Sequence, residues 1–205
     1  MGKITDYSSL QSSVADYLNR ADLTSQIQMF IQFCESNINA NLRSRDMIVR
    51  AQATSDKEYV KLPPDWLEAS NMQIIGGTSP LRYITLDSSD IIKNNTSIHE
   101  VVAYSIMDDA IELVPAPTTD VNIEMVYYAK VPELTDADPS NWLLTKSPEV
   151  YLYGSLMHAA TFLVDDARVA TFASFYTSMV SKINEESYTA LHSGSPLVAR
   201  SRSLF

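Results

Sequence analysis

The amino-acid sequence predicts an α+β fold in which N- and C-terminal helices form a helical bundle with an inserted antiparallel β-rich domain. Three observations support this fold class: apolar residues recur at helical spacing near the N terminus, apolar and polar residues alternate in the middle of the chain, and helical spacing returns in the last third. We expect residues 1–46 and 145–192 to form the bundle, residues 47–144 the β-rich insertion, and residues 193–205 a flexible C-terminal tail.

Charge and composition restrict the classes of function. The chain of 205 residues carries 15 basic and 25 acidic side chains, for a formal net charge of −10. This balance argues against a protein that grips nucleic acid over its whole surface, although an acidic wall would let DNA slide past it. The single cysteine, Cys34, cannot form an intramolecular disulfide, and the sequence contains no signal segment and no apolar run of about 18–20 residues. We therefore expect a soluble protein of intracellular origin with no membrane partner.

Two helices are predicted near the N terminus. The first has Ser8 or Ser9 as its N-cap, and Ser25 with Gln28 forms a capping box that opens the second. Cys34 lies on the apolar stripe of the second helix, so we interpret it as a buried structural thiol. The apolar positions are Leu10, Val14, Tyr17 and Leu18 in the first helix, and Ile27, Phe30, Ile31, Cys34, Ile38 and Leu42 in the second.

The central region consists of short β-prone runs separated by polar turns, which is typical of an antiparallel sheet or a small sandwich. Residues 121–128 alternate between the two faces of a strand, and Gly76–Gly77 is a plausible hairpin turn. We expect a brief helical turn at residues 66–68 and a short helix capped by residues 87–90. The expected strands are residues 47–49, 58–62, 72–75, 81–86, 100–106, 110–114 and 121–128.

The last third of the chain predicts two further helices. Ser147 is the expected cap of the first, with Pro148 at its first helical position. This helix extends to about Val164 and is apolar on more than one face, so we expect it at the centre of the core. A turn at Asp165-Asp166 then leads into a final helix that frays after Tyr188.

The sequence predicts no enzyme activity, no cofactor and no metal site. Its three histidines, His99, His158 and His192, lack the spacing of metal ligands. The acidic pairs at residues 108–109, 165–166 and 185–186 fall in predicted turns or on exposed helix faces, where solvated charge is the ordinary state.

Two segments are candidates for assembly contacts. Trp142, Leu143 and Leu144 precede a helix and are interpreted as a core anchor, with a subunit contact as the alternative. The C-terminal tail contains two arginines and no acidic residue, so its charge is opposite to that of the body. It either lacks order or orders on a partner, by strand addition or by inserting its apolar end. The tail residues singled out are Arg200, Arg202, Leu204 and Phe205.

Three groups of motifs, in the same order along the chain, resemble the head-to-tail adaptor proteins of tailed bacteriophages, especially short-tailed ones. The resemblance covers about residues 8 to 188. The motifs are Asp16-Tyr17-Leu18-Asn19-Arg20-Ala21-Asp22-Leu23-Thr24 with the helix that follows it, Leu62-Pro63-Pro64-Asp65-Trp66-Leu67-Glu68, and Tyr127-Tyr128-Ala129-Lys130-Val131-Pro132 with Trp142-Leu143-Leu144 and Tyr151-Leu152-Tyr153-Gly154-Ser155-Leu156.

The resemblance implies a structural virion protein without catalytic residues. Proteins of that family combine a helical bundle with a β-rich insertion and assemble as a ring, typically twelve-fold. The implied partners are further copies of the chain, the phage portal protein, and tail nozzle or tail fibre proteins, with DNA only as passing cargo. The implied location is the capsid vertex and tail of the virion, with assembly in the host cytoplasm.

Rival classes make different demands. A small hydrolase would need Asp108, Asp109, His99 and His158 to converge in one pocket. A nucleic-acid-binding regulator would need a basic face, and 15 basic residues against 25 acidic ones argue against it. A small intracellular interaction module of another class is the remaining alternative.

Overall fold

The computed structural model describes residues 3–94 and 100–193, and it confirms the α+β class. These residues form two compact units. The helical unit comprises the chain up to Asp46 and from Val131 onward, and the β unit comprises Met47–Lys130. Residues 131–144, which the sequence analysis places in the β-rich insertion, thus belong to the helical unit. The physical reason is that side chains of this unit, including Asn39 and Asn141, bond their backbone.

Helices α1, α2, α4, α5 and α6 build the helical unit, and α5 packs against each of the other four. Helix α5 has eight buried residues and lies at the centre of the helical unit, as its apolar composition predicts. The bounds are α1 Tyr7–Leu18, α2 Thr24–Asn41, α4 Trp142–Lys146, α5 Pro148–Phe162 and α6 Asp166–His192, and a 3₁₀ turn covers Arg45–Met47.

The predicted apolar stripe of α2 is confirmed, because all six of its residues are buried. The predicted caps of the first two helices are wrong. Asp6 is the N-cap of α1: its carboxylate accepts from the backbone N–H of Ser9 at 2.8 Å, and the Ser9 hydroxyl accepts from the backbone N–H of Asp6. Helix α2 begins after Leu23 without a side-chain cap, so the expected box of Ser25 and Gln28 does not form.

The last two helices differ from the prediction in their ends. Pro148 opens α5 as predicted, but the side chain of Ser147 makes no capping bond. Asp165 caps α6 by accepting from the backbone N–H of Arg168, and the helix continues through His192 rather than fraying after Tyr188. The negative charge of Asp165 at the N terminus of α6 interacts favourably with the helix dipole.

The β unit contains two sheets and the short helix α3. One sheet has the strand order β1–β7–β3, and the other has the order β2–β6–β5–β4. Every pairing is antiparallel except that of β4 with β5. The bounds are β1 Ile48–Ser55, β2 Tyr59–Lys61, β3 Trp66–Ile74, β4 Arg82–Tyr83, α3 Leu86–Lys93, β5 Ala103–Met107, β6 Ala110–Val114 and β7 Val121–Ala129.

Two local predictions in this unit are wrong. Residues 66–68 begin strand β3 instead of forming a helical turn, and β3 pairs along most of its length with β7. Gly76 turns the chain with a φ of 86°, but the strands on either side of it are not a hairpin. A single bridge joins Gln73 to Pro80. Strand β4 then pairs with β5 at the edge of the second sheet instead of continuing along β3.

Candidate assembly surfaces

The short helix α4 holds two of the three residues of the predicted anchor inside the core. Leu143 and Leu144 are completely buried. Asn141 caps the helix, because its side-chain oxygen accepts from the backbone N–H of Leu144 at 2.8 Å. Its amide nitrogen donates to the Pro132 carbonyl and to the Tyr151 hydroxyl, each at 2.7 Å. One buried amide thus fixes both α4 and the irregular segment that leads to it.

Trp142 is the residue of this segment that reaches the surface. It is half-buried, and Lys146 Nζ lies 5.7 Å from the centroid of its ring. Lys146 in turn pairs with Asp46, with an N–O distance of 2.7 Å. The indole borders a groove that Arg45 and Ile183 also line. A large aromatic ring at the edge of a groove is the kind of side chain in which protein interfaces are enriched.

Cys34 lies where α2, α5 and α6 meet at Gly154. Its side chain is completely buried, and its Sγ is 3.8 Å from the carbonyl oxygens of Val150 and Tyr151. Burial raises the pKa of the thiol, so the reactive thiolate is disfavoured. The approach depends on Gly154, because a Cβ there would overlap Cys34 Sγ and lie 3.1 Å from the Tyr176 ring.

The described candidate acid/base residues are divided between the two units. Asp108 and Asp109 form the exposed turn between β5 and β6, where Asp108 has a φ of 54°. His158 belongs to the helical unit, and its Nε2 lies 2.9 Å from Asn37 Nδ2. Burial lowers the pKa of this imidazole. His99 lies outside the described residues.

Metal ligands do not converge either. Among residues 3–94 and 100–193, the structure places no group of three or more His, Cys, Asp or Glu side chains where they could hold an ion. Asp165 is the cap of α6. On the exposed face of the same helix, Glu186 Oε1 lies 3.9 Å from Lys182 Nζ.

A buried carboxylate in the β unit is a feature that the sequence analysis missed. Glu112 on β6 accepts hydrogen bonds from the hydroxyls of Ser89 and Ser105 and from the ammonium of Lys93, and Lys93 also pairs with Glu58 at 2.6 Å. Burial by itself would raise the pKa of Glu112, but the bonds from Lys93, Ser105 and Ser89 hold it below its usual value. The network ties α3 to β5 and β6.

A second buried carboxylate lies in the helical unit. Glu35 on α2 accepts from the backbone N–H of Leu134 at 2.8 Å and lines a cavity with Tyr7, Gln32 and Glu133. The pKa of Glu35 is raised to about 7, chiefly by burial, which exceeds the opposing effect of the Leu134 bond, and to a smaller extent by the charge of Glu133. Asn39 accepts from the backbone N–H of Val131 at 2.9 Å. Helix α2 therefore holds the irregular segment after the β unit at two points.

The model of the family described as SU10 adaptor protein matches residues 5–200. The match covers nearly the whole chain. The chain belongs to the SU10 adaptor protein family.

The protein is therefore a phage structural adaptor. No curated protein matches the sequence of this adaptor. In the part of the adaptor that the structure describes, the helices are all too short or too polar to cross a membrane. The four tail residues predicted to dock on a partner, Arg200, Arg202, Leu204 and Phe205, lie outside the described residues.

The buried Glu35 carboxyl should make the stability of the adaptor depend on pH. A carboxyl whose pKa rises from 4.5 to about 7 on folding favours the folded state while it is protonated, so its contribution is full below pH 4.5 and is lost as the pH rises through 7. Between pH 4.5 and pH 7, we expect the free energy of unfolding of the wild type to fall by about 2 kcal/mol more than that of Glu35→Gln. This value is lower than the full pKa shift implies, because solvent in the adjoining cavity screens the carboxylate.

Denaturant unfolding followed through Trp142 fluorescence in a Trp66→Phe background measures this difference. Gln keeps the oxygen that accepts from Leu134, so the variant removes the charge and preserves the bond. Glu185→Gln, which changes an exposed carboxyl on α6, should retain the pH dependence of the wild type. If the free energy of unfolding changed equally with pH in the wild type and in Glu35→Gln, the pKa of Glu35 would not be raised by folding.

Proposed function

We propose that this adaptor is the head-to-tail connector of a short-tailed phage, and that it forms a ring, twelve-fold by resemblance to related adaptors, between the portal and the tail nozzle. The family match over residues 5–200 carries the proposal. The ring would assemble in the host cytoplasm and become part of the virion at the capsid vertex. Its partners would be further copies of the chain, the portal protein, and tail nozzle or tail fibre proteins.

The charge of the chain supports a role in DNA passage. Each copy has a formal net charge of −10, and a ring would bring several such charges around one axis. An acidic lumen repels phosphates, so DNA crosses it without being retained. In this proposal DNA passes through the ring and is not bound by it.

Two contacts are assigned to the candidate surfaces. The C-terminal tail, with Arg200, Arg202, Leu204 and Phe205, would dock on the portal or on a neighbouring subunit, since its basic charge is opposite to that of the acidic body. Trp142, at its groove beside α6, would contact a neighbouring subunit. Leu143 and Leu144 would support Trp142 from the core.

Electron microscopy of the protein mixed with the portal of the same phage tests the proposal. The full chain should appear as a ring stacked on one portal face, and a variant that lacks residues 193–205 should fold but fail to attach. Circular dichroism of the truncated variant checks its folding. No ring on the portal with the full chain would refute the connector role, whereas attachment of the truncated variant would refute only the role of the tail.

A further inference from the structure

The helical unit has a lateral surface that is unusually poor in charge. Helix α2 contains one charged residue, Glu35, which is buried, and α5 contains one, Glu149, in its first turn. Residues 169–181 of α6 contain none. The chain has 15 basic and 25 acidic residues, yet the central parts of these three helices carry almost no exposed charge. Charge depletion with retained aromatic residues marks the core of protein interfaces.

Large side chains, most of them apolar and all of them exposed or half-buried, lie on this surface in two groups. The first, which we call the α2 patch, consists of Met29, Phe33, His158 and Phe162. Phe33 is 45% exposed and its ring lies 5.6 Å from that of His158, while Phe162 is 50% exposed and lies one helical turn beyond His158. Met29 lies one turn before Phe33 on α2. The three apolar side chains and the uncharged face of the His158 ring therefore form one continuous area across two helices.

The second group, the α6 patch, consists of Tyr153, Phe172 and Phe175. The Tyr153 ring lies 5.1 Å from that of Phe175 and 6.2 Å from that of Phe172. Phe175 is 47% exposed, although it lies next to the buried Tyr176. Helix α6 has only three buried residues along Asp166–His192, so most of its surface lacks cover from the described part of the chain.

The two patches include opposite sides of α5, because Tyr153 and Phe162 are nine residues, or about two and a half turns, apart on that helix. Patches so placed are suited to a head-to-tail contact. Helices α2 and α6 both pack against α5, and the narrow space at Gly154 is filled by Cys34 from α2 and by Tyr176 from α6. The Phe33 and Phe175 side chains, which adjoin these inward residues in sequence, point outward from the two helices. A contact between unlike patches uses each patch once per copy, so it propagates from copy to copy and closes into a ring where the rotation allows.

The charge of the chain favours a second copy as the occupant of each patch. Copies that each carry −10 repel one another, so surfaces without charge are the ones that two copies can bring together without adding to this repulsion. Both patches meet this condition. A partner attracted by the acidic body would instead be recognised through acidic side chains, which the patches do not contain.

We propose that the α2 patch of one copy packs against the α6 patch of the next, with Phe33 and Phe175 at the centre of the contact. This inference rests on the proposed ring and names its subunit interface. Loss of a central aromatic residue commonly weakens an interface by about 2 kcal/mol or more, which corresponds to roughly 30-fold in affinity.

A charge-exchange experiment tests the pairing of the two patches. Phe33→Lys and Phe175→Glu each place a charge opposite an apolar ring, so each variant alone should lose at least roughly 30-fold in self-association. An equal mixture should recover it, because alternating copies then place the introduced lysine opposite the introduced glutamate at one contact and the two native phenylalanines opposite each other at the next. Ile91→Lys, at an exposed site of the β unit, is the matched control and should associate as the wild type does.

Association is measured by sedimentation of the protein alone and by electron microscopy of the protein on the portal. Recovery in the mixture but in neither variant alone supports the inference. Portal-bound rings that form equally well with Phe33→Lys alone would overturn the inference and leave the connector function intact. Failure of the wild type to form a ring on the portal would refute the connector function. If the wild type also sedimented as a monomer, the proposed contact between the two patches would be refuted as well.

Discussion

Replacing Glu112 with alanine is expected to destabilise the β unit by about 3–5 kcal/mol, the cost typical of breaking a buried charged pair. The carboxylate accepts from Ser89, Ser105 and Lys93, and both serines are buried. Removing it leaves two hydroxyls without their acceptor and deprives Lys93 of one of its two acidic partners. Because Ser89 and Lys93 lie on α3, this helix should lose its attachment to β6.

The two tryptophans allow the unfolding of each unit to be followed separately. Trp66 is in the β unit and Trp142 in the helical unit, so Trp142→Phe leaves a signal from the β unit alone. Glu58→Ala, which also removes a partner of Lys93 but from a partly exposed position, is the matched control and should cost about 1 kcal/mol or less. Equal losses for Glu112→Ala and Glu58→Ala would contradict the buried network.

The burial of Glu112 could not be predicted from its own strand. Ala110-Ile111-Glu112-Leu113-Val114 alternates as if Glu112 faced solvent. The side chains that surround it come from α3 and β5, and a single sequence does not indicate that these elements meet at one point. By contrast, β6 has the predicted bounds, and the predicted strand at residues 100–106 overlaps β5 in four residues, because the pairing of these two strands is local.

The boundary after the β unit escaped prediction for a related reason. The segment from Val131 to Asn141 has no regular structure, so periodicity carries no information about it. It is held by the side chains of Asn39 and Glu35, which bond backbone groups 92 and 99 residues away, and by Asn141 at its own end. Bonds of this kind leave no pattern in the sequence.

Helical periodicity predicted which residues of α2 are apolar and buried, but it does not say what covers an apolar residue. Ile27, Phe30 and Ile31 are covered by the chain itself, whereas Phe33 and Phe175 are half exposed. Apolar residues outside the buried stripe, on helices that carry little charge, are the sequence signal that could have pointed to the two patches.

Replacing Gly154 with alanine is expected to destabilise the helical unit by about 1–3 kcal/mol, although alanine is the better helix former by about 1 kcal/mol. The added Cβ would overlap Cys34 Sγ and lie 3.1 Å and 3.2 Å from two carbons of the Tyr176 ring. Since α2, α5 and α6 meet there, a helix must shift to admit one methyl group. Unfolding followed through Trp142 in a Trp66→Phe background measures the cost.

The same clash predicts a specific coupling between Gly154 and Cys34. Cys34→Ala removes the sulfur that the new Cβ would meet, so Gly154→Ala should cost about 1–2 kcal/mol less in that background than in the wild type. Some cost should remain, because the Tyr176 ring stays in place. Phe33→Ala, next to Cys34 but on the exposed face, should be additive with Gly154→Ala. Additivity of Cys34→Ala with Gly154→Ala would instead mean that the helices separate independently of the sulfur, and that Gly154 does not set the distance between α2 and α5.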